Sequence, residues 1–360
     1  MTPSPALLTE LWDVALCDLP DLKFQVIIYA TREKYQENQT MQTTLKRVAV
    51  LVVMLCPISA AATCDVTGAT PEGGQVVSCA GVEPNGFDGT LFRDTLSILP
   101  GASINRAIAE DTIDLGAGND SLTMAGGEVS SLNDDCIGLG DDADTAVLQD
   151  GTLLCGDDGV DAGDASTVAG GNQIELRGVT IVSGGDGIDT NDGDDTIIMS
   201  AGSITVTGSR FRDYGIAAED GNDSIVLSGG AITVPATSGA AVSGGNGSDR
   251  VDIAGPIALN NIINGDEESG SDGSTDTLRF SLTLPGTQAD LARQALLAAD
   301  PAAGSVNIDG QTYSWANFER IEVAISDAAA PVPVNSVGSI LALLLLCGLF
   351  GVNRLSRQKA

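Results

Sequence analysis

The sequence predicts an all-β protein, a right-handed parallel β-helix (β-solenoid) of about seven turns with a small α+β cap at its C-terminal end. Three observations lead to this fold class. A motif centred on Asp recurs about every 26 residues, each repeat holds three short apolar runs bounded by Gly, and aromatic residues make up only 4% of the 360 residues. Such a period is typical of a solenoid, because one turn cannot bury its apolar face unless it stacks on the next.

The N-terminal end of the chain is predicted to serve targeting rather than folding. Residues 1–40 precede a better start and are interpreted as an over-extended gene start. Residues 41–62 join a basic pair, an apolar run and a small-residue ending, which is the pattern of a secretory signal peptide. A buried helix is the alternative for this segment. We expect cleavage after Ala61 or Ala62 and export of the remaining chain.

The C-terminal end combines a Pro-containing linker, 328–336, with an apolar tail that ends in basic residues, 337–360. The apolar run is near the lower length limit of a membrane span, and the basic residues after it are expected to stay cytoplasmic. This three-part tail resembles the PEP-CTERM and IPTL-CTERM class of bacterial sorting signals. The resemblance implies processing by an exosortase-like sorting enzyme, and a simple membrane anchor is the alternative. We therefore expect a cell-surface, outer-membrane or extracellular protein, with a transient inner-membrane anchor.

The charge of the chain restricts its partners. The formal net charge is -32, Lys and Arg together number 17 against 49 acidic residues, and His is absent. A field this negative repels nucleic acid and favours multivalent cations. The absence of His removes the commonest general base and any His-ligated metal site.

The repeat spans residues 110–281 and has one acidic position in each turn. The aligned aspartates are Asp120, Asp144, Asp195, Asp223, Asp249 and Asp276, and Asn172 fills the large gap between the second and third. Apolar residues two places after this position are predicted to point into the core. They are Leu122, Ile174, Ile197, Ile225, Val251 and Leu278.

A solenoid needs a cap at each end to protect its open strand edges. We assign residues 63–109 to the N-terminal cap and residues 282–327 to the C-terminal cap. The second range contains a helical pattern near residues 287–299, with Thr287 as its N-cap. A hairpin is expected to turn at Asp309–Gly310, because this dipeptide favours the tight turns that join antiparallel strands.

Four cysteines follow the signal peptide, which in an exported chain suggests two disulfides with three possible connectivities. The pairs Cys64–Cys79 and Cys136–Cys155 are favoured because both loops are short. A thiolate metal site is the less favoured alternative in an oxidising compartment.

The acidic loops carry a second resemblance. Residues 244–251, GGNGSDRV, and residues 184–189, GGDGID, resemble the repeats-in-toxin (RTX) nonapeptide G-G-x-G-x-D-x-U-x. In that family glycines aim backbone carbonyls inward and the Asp carboxylate completes a calcium site between turns, so the resemblance implies bound Ca²⁺. The ligands that we expect are Asp120, Asp144, Asp186, Asp189, Asp192, Asp195, Asp220, Asp223, Asp249 and Asp276. The alternative is that these Gly-Asp corners only provide good turn chemistry on a solvated edge.

Two classes of function fit these patterns. The first is an exported, non-enzymatic surface or matrix protein, stabilised by calcium, that has a structural or adhesive role and binds a surface polysaccharide or a protein. The alternative is a polysaccharide-active enzyme, a lyase, hydrolase or epimerase that acts on an acidic glycan. For a ligand contact the candidates are Arg210, Arg212 and Tyr214, although such a cluster is more often an inserted loop with solvated charges. No nucleophile elbow, P-loop or dinucleotide motif is present in the sequence.

Overall fold

The computed structural model describes residues 64–163, 171–266 and 274–328. These residues form a β-solenoid of about seven turns, in which strands of successive turns pair side by side in parallel. The predicted fold class is therefore confirmed, and the right-handed sense of the coil stays a prediction.

The strands of the described residues follow one another in chain order. The first are β1 (Cys64–Ala69), β2 (Gln75–Cys79), β3 (Val82–Glu83), β4 (Phe87–Thr90), β5 (Thr95–Ile98), β6 (Ser103–Arg106) and β7 (Ile113–Gly116). The next are β8 (Ser121–Ser131), β9 (Ile137–Gly138), β10 (Thr145–Leu154), β11 (Val160–Asp161), β12 (Gln173–Ser183), β13 (Ile188–Asp189), β14 (Thr196–Val206) and β15 (Ile216–Ala217). They continue with β16 (Ser224–Leu227), β17 (Ala231–Thr233), β18 (Val242–Gly245), β19 (Arg250–Ile253), β20 (Ala258–Leu259), β21 (Ile263–Asp266), β22 (Thr277–Phe280) and β23 (Thr283–Leu284).

Two sheets run along the solenoid. The first joins β1, β2, β5, β8, β10, β12, β14, β16, β19 and β22 in this order, and β3, β6, β17 and β20 pair alongside this path. The second joins β4, β7, β9, β11, β13, β15, β18 and β21. Each turn passes through the first sheet in a strand that bends or breaks in its middle, and then through the second sheet. Three strand runs per turn are the result, as the sequence predicts.

The bend within β14 requires a glycine. Gly202 has a φ of 97°, which L side chains rarely adopt, and a Cβ at this position would lie 2.2 Å from the carbonyl oxygen of Val179 in the previous turn. The chain can therefore turn this corner in close contact with its neighbour only where no side chain is present.

The core consists of columns of apolar side chains, one member from each turn. The six predicted inward residues form one such column together with Leu96 and Ala146, and all eight are at most 1% exposed. Their strands pair in register, so that Ile197 lies between Ile174 of the turn before and Ile225 of the turn after. A second column, in the second sheet, includes Ile188. The predicted core and its repeat are therefore confirmed.

The parallel stacking begins earlier than predicted. Residues 63–109 were expected to form a cap, yet β2 pairs in parallel with β5 and β5 with β8, so most of this range belongs to the solenoid. Only β1 has the character of a cap, because it pairs antiparallel with β2. The disulfide Cys64–Cys79 joins these two strands, and Cys136–Cys155 joins successive turns, as the favoured connectivity predicts.

The C-terminal cap consists of α1 (Gly286–Leu297), β24 (Ala303–Ile308), β25 (Gln311–Ala316), β26 (Arg320–Val323) and β27 (Ser326–Asp327). The predicted hairpin is confirmed, since β24 and β25 pair antiparallel around Asp309 and Gly310, which both have positive φ. The N-cap prediction is wrong, because Pro285 occupies the N-cap and Thr287 lies within the helix. Proline is compatible with this place because it needs no N–H partner. Strands β25 and β26 extend the second and the first sheet respectively.

The predicted gene-start segment, the signal peptide, and the linker and tail from residue 329 onward lie outside the described residues. Within the described ranges, no helix is both long enough and apolar enough to cross a membrane.

Candidate metal centre

A row of side chains follows the corner that leads into the first sheet, one from each turn. We call it the aspartate row, and its members are Asp94, Asp120, Asp144, Asn172, Asp195, Asp223, Asp249 and Asp276. The backbone N–H of each member donates to the side-chain Oδ1 of the member in the next turn, except in the last member, Asp276, whose N–H donates to Oε2 of Glu319. The donor–acceptor distance is 2.6 Å from Asp120 to Asp144 and 2.7 Å from Asp195 to Asp223. The aligned repeat position is therefore a ladder of hydrogen bonds between turns.

The carboxylates of the aspartate row are buried. Asp144 is 1% exposed and Asp223 is 2% exposed. Burial raises the pKa of Asp223 to about 9 and the pKa of Asp144 to about 8, because loss of water disfavours the charged form and the accepted N–H offsets only part of this. Neighbouring carboxylates of the row act in the same direction as burial.

A second ladder, which we call the loop row, lies just before the strands of the second sheet. Its hydrogen bonds run in the opposite direction along the chain. Its members are Asp135, Asp158 and Asp186. The N–H of Asp158 donates to Oδ1 of Asp135 at 2.6 Å, and the N–H of Asp186 donates to Oδ1 of Asp158. The N–H of Tyr214 then donates to Oδ1 of Asp186. Here the later turn donates to the earlier one, whereas in the aspartate row the earlier turn donates.

Two groups of three carboxylates converge beside the loop row. The first, which we call the calcium cluster after the ion that the sequence leads us to expect, contains Asp158, Asp186 and Asp189, each of which offers an oxygen within 4.8 Å of the others. The second group contains Asp111, Asp134 and Asp135 under the same distance limit. Each group draws its carboxylates from two successive turns, so a cation bound there would link those turns.

The fold explains why the calcium cluster forms. Strands β11 and β13 pair in parallel with Val160 opposite Ile188, so the loops before them stack with Asp158 next to Asp186. Ile188 points into the core, and alternation along the strand turns Asp189 outward toward the same loops. Stacking thus brings together Asp158 and Asp186, which lie two residues before β11 and β13, and Asp189, which is the second residue of β13.

Electrostatic repulsion is strong within the calcium cluster. Burial raises the pKa of Asp186 to about 9, and it raises the pKa values of Asp158 and Asp189 to about 7. Neighbouring carboxylates contribute to all three shifts after burial: Asp158 acts on Asp186, Asp189 acts on Asp158, and Glu219 acts on Asp189. A bound divalent cation would reverse these shifts by supplying the missing positive charge.

A glycine makes room for these carboxylates. A Cβ added to Gly185 would lie 2.2 Å from Oδ1 of Asp158 and 2.4 Å from Oδ1 of Asp157. Gly138 has the same relation to the second group, since its Cβ would lie 2.4 Å from Oδ2 of Asp111. At both groups, therefore, the backbone of a glycine lies very close to carboxylate oxygens of the previous turn. Oxygen donors in a crowded, negatively charged loop are the ligands that Ca²⁺ prefers.

The structure divides the ten expected calcium ligands into three sets. Asp186 and Asp189 converge in the calcium cluster. The second set stacks in the aspartate row, with one carboxylate per turn; it comprises Asp120, Asp144, Asp195, Asp223, Asp249 and Asp276. Asp192 and Asp220 form the third set, on an exposed outer edge where their backbones are bridged and Asp220 accepts a hydrogen bond from Asn246. Only the first set takes part in a group of three carboxylates among the described residues.

Sequence reasoning did not identify Asp158 or the second group. A signal for them was present, because the pairs Asp134–Asp135 and Asp157–Asp158 precede apolar residues at spacings close to one turn. These pairs lack the Gly-Gly of the RTX-like motif, and their role depends on the stacking of loops.

The residues of the basic cluster differ in exposure, since Arg210 and Arg212 lie at the surface and Tyr214 is buried. Tyr214 is 4% exposed and packs against Ala217 and Ala240, so little of its side chain is accessible to a ligand, and the predicted contact stays a prediction. The guanidinium of Arg210 lies 3.0 Å from Oδ1 of Asp157, and Arg212 is exposed. Arg210 therefore pairs with a carboxylate that directly precedes Asp158 of the calcium cluster.

No protein-family model matches the chain, and neither the curated proteins nor the solved structures include a significant match.

Proposed function

We propose that this protein is an exported, calcium-stabilised β-solenoid with a structural or adhesive role at the cell surface. The observation that carries the calcium part is the convergence of Asp158, Asp186 and Asp189 from two successive turns. Three carboxylates, backbone carbonyls and water can supply the six to eight oxygens that Ca²⁺ requires. The resemblance of residues 184–189 to the RTX motif supports the same ion.

In this proposal the ion links turns. Strands β11 and β13 have two residues each, and backbone hydrogen bonds between the same two turns continue into the adjacent loops, such as the one from Gly184 N–H to the carbonyl of Asp157 at 2.9 Å. This backbone pairing holds the acidic loops of the two turns next to each other. A cation held by Asp158 from one turn and by Asp186 and Asp189 from the next opposes the repulsion that the loops otherwise experience. Because calcium would bind only the stacked form, it would shift the folding equilibrium toward that form by mass action.

The adhesive part is supported by how charge is distributed. Acidic residues concentrate at the corners, whereas the outward positions of β5 and the residues that pair with them in β8 and β10 are uncharged: they are Thr95, Ser97, Ser121, Thr123, Thr145 and Val147. A face that carries five small hydroxyl groups and one Val suits a neutral partner, such as a surface polysaccharide or a protein. The negative corners favour cations and disfavour nucleic acid.

Calcium titration of the thermal unfolding of the full chain tests the ion. Extracellular modules bind calcium at about 10⁻⁴ to 10⁻³ M, so a hundredfold excess over the tighter value stabilises one site by about 2.7 kcal/mol. We expect the melting temperature to rise in millimolar calcium and to fall in chelator, with a much smaller response to magnesium, which gives up its water reluctantly.

Two substitutions assign the effect to the cluster. Asp158→Asn and Asp189→Asn keep the shape of the side chain and should remove most of the calcium-dependent part. Asp150→Asn is the matched control, because Asp150 is exposed and hydrogen-bonds only its own turn at 2.8 Å. Identical melting curves of the unmodified protein in calcium and in chelator would show that these corners are only turns.

Export is tested separately by sequencing the N-terminus of the protein recovered from the producing cell. We expect the mature chain to begin near Ala62 or Thr63. A recovered chain that retains residues 1–40 would contradict export through this signal.

A further inference from the structure

A basic side chain from a third turn reaches the edge of the calcium cluster. Asp158 lies in the loop before β11, Asp186 in the loop before β13 and Arg210 in the loop before β15, and these three strands pair in chain order. The guanidinium of Arg210 lies 3.0 Å from Oδ1 of Asp157, although 53 residues separate the two in the sequence. The side chain of Arg210 therefore reaches back across the turn that contains Asp186.

Hydrogen bonds fix the backbone from which Arg210 extends. The N–H of Arg210 donates to Oδ2 of Asp213 at 2.7 Å, and the N–H of Asp213 donates to the carbonyl of Arg210 at 3.2 Å. The carboxylate of Asp213 is buried, so the loop is closed from its inner side. The next residue, Tyr214, donates its N–H to Oδ1 of Asp186, which is a member of the calcium cluster. The loop that presents Arg210 is thus attached to the cluster itself.

Asp157 lies beside the calcium cluster without being one of its three converging carboxylates. A Cβ on Gly185 would lie 2.4 Å from Oδ1 of Asp157 and 2.2 Å from Oδ1 of Asp158, so both oxygens surround the same point. Oδ1 of Asp157 is also the oxygen to which Arg210 donates. The charge of Arg210 acts on Asp158 as well. The cluster therefore has a fourth carboxylate close by, and an arginine of the same chain neutralises it.

A cation in the cluster and the guanidinium of Arg210 have the same sign of charge. They repel each other and they attract the same carboxylates, so the presence of one weakens the binding of the other. The side chain of Arg210 is 73% exposed and that of Asp157 is 37% exposed. An ion pair this exposed is weak, so calcium can compete with it. The number of charged ligands is also one of the factors that set calcium affinity.

We propose that Arg210 is a built-in counter-charge of the calcium cluster, which neutralises Asp157 in the absence of calcium and lowers the affinity of the cluster for calcium. This inference rests on the proposed calcium site and concerns its regulation. With Arg210 in place, the acidic loops of the two turns can stack before an ion binds. The same charge keeps the affinity in the weak range of extracellular calcium modules, about 10⁻⁴ to 10⁻³ M.

Arg210→Gln tests the proposal, and Arg212→Gln is the matched control. Both remove one positive charge from the same loop, but Arg212 is exposed and takes part in no ion pair among the described residues. The calcium dissociation constant of the full chain is measured by isothermal titration calorimetry, and Asp158→Asn identifies the heat that belongs to the cluster. We expect Arg210→Gln to lower this constant about two- to fivefold, as for the loss of one exposed charge interaction. Arg212→Gln should change it much less.

Thermal unfolding gives a second readout with the opposite sign. In chelator, Arg210→Gln should melt below Arg212→Gln, because the charge of Asp157 is no longer neutralised, and millimolar calcium should reduce this difference. Equal dissociation constants or equal melting in chelator for the two variants, in a chain whose calcium binding depends on Asp158, would overturn this proposal and leave the calcium site standing. Absence of calcium binding by the unmodified chain would overturn both.

Discussion

Gly185→Ala distinguishes a loss of calcium binding at the cluster from a general loss of stability of the fold. Gly185 and Gly184 are adjacent in the RTX-like segment, but they contact different groups of the previous turn. A Cβ on Gly185 would lie 2.2 Å from Oδ1 of Asp158, at the movable end of a side chain. A Cβ on Gly184 would lie 2.1 Å from the carbonyl oxygen of Gly156, which the backbone holds in place. The first substitution should therefore displace a ligand, and the second should displace the chain.

The size of the effect can be worked from binding linkage. Calcium at a hundredfold excess over its dissociation constant contributes about 2.7 kcal/mol, and a tenfold weaker site at the same concentration contributes about 1.4 kcal/mol. For a domain of this size, 1 kcal/mol corresponds to about 2–4 °C in melting temperature. If Gly185→Ala weakens binding about tenfold, as loss of well-placed ligation typically does, the melting temperature in calcium should fall by about 3–5 °C.

The assay is thermal unfolding monitored by circular dichroism, at calcium concentrations that increase in tenfold steps and in chelator. Gly185→Ala should melt slightly below the unmodified chain in chelator, because Oδ1 of Asp158 also accepts the N–H of Asp186, and it should fall further below it in calcium. Gly184→Ala should melt lower in both, and Gly286→Ala, whose Cβ meets nothing within 4 Å, should change neither. An unchanged calcium response in Gly185→Ala would refute the placement of calcium at this cluster.

Three further predictions concern the core, the cross-links and the basic loop. Ile197→Ala should destabilise the protein by about 2–5 kcal/mol in urea unfolding, because the side chain is fully buried between two stacked neighbours. Replacing both Cys136 and Cys155 by Ala should destabilise the protein by about 3 kcal/mol relative to the oxidised unmodified chain, because the disulfide closes a loop with a sequence separation of 19. Arg210→Ala with Arg212→Ala should change unfolding by less than about 1 kcal/mol, since the Arg210–Asp157 pair is exposed; loss of a measured activity on acidic polysaccharides in this variant would favour the enzyme alternative.

Much of the fold could be predicted from the repeat alone. The period, the apolar column through Ile197 and both disulfides follow from spacing, since a solenoid places equivalent residues of successive turns side by side. The hairpin at Asp309–Gly310 follows from local turn chemistry. The two early turns were missed because Asp94 has the Asp-Thr-Leu of the repeat but not the preceding Gly.

The candidate site was predictable only in part. Sequence by itself determined that acidic corners recur once per turn and that no Lys or His accompanies them in the repeats. Tertiary structure decided that Asp223 faces a backbone N–H inside a ladder, whereas Asp189 faces Asp158 and Asp186 across a turn. The reason is that both kinds of Asp share the same local Gly-rich pattern, and their surroundings depend on the residues of the neighbouring turn, which lie 23 to 28 positions away.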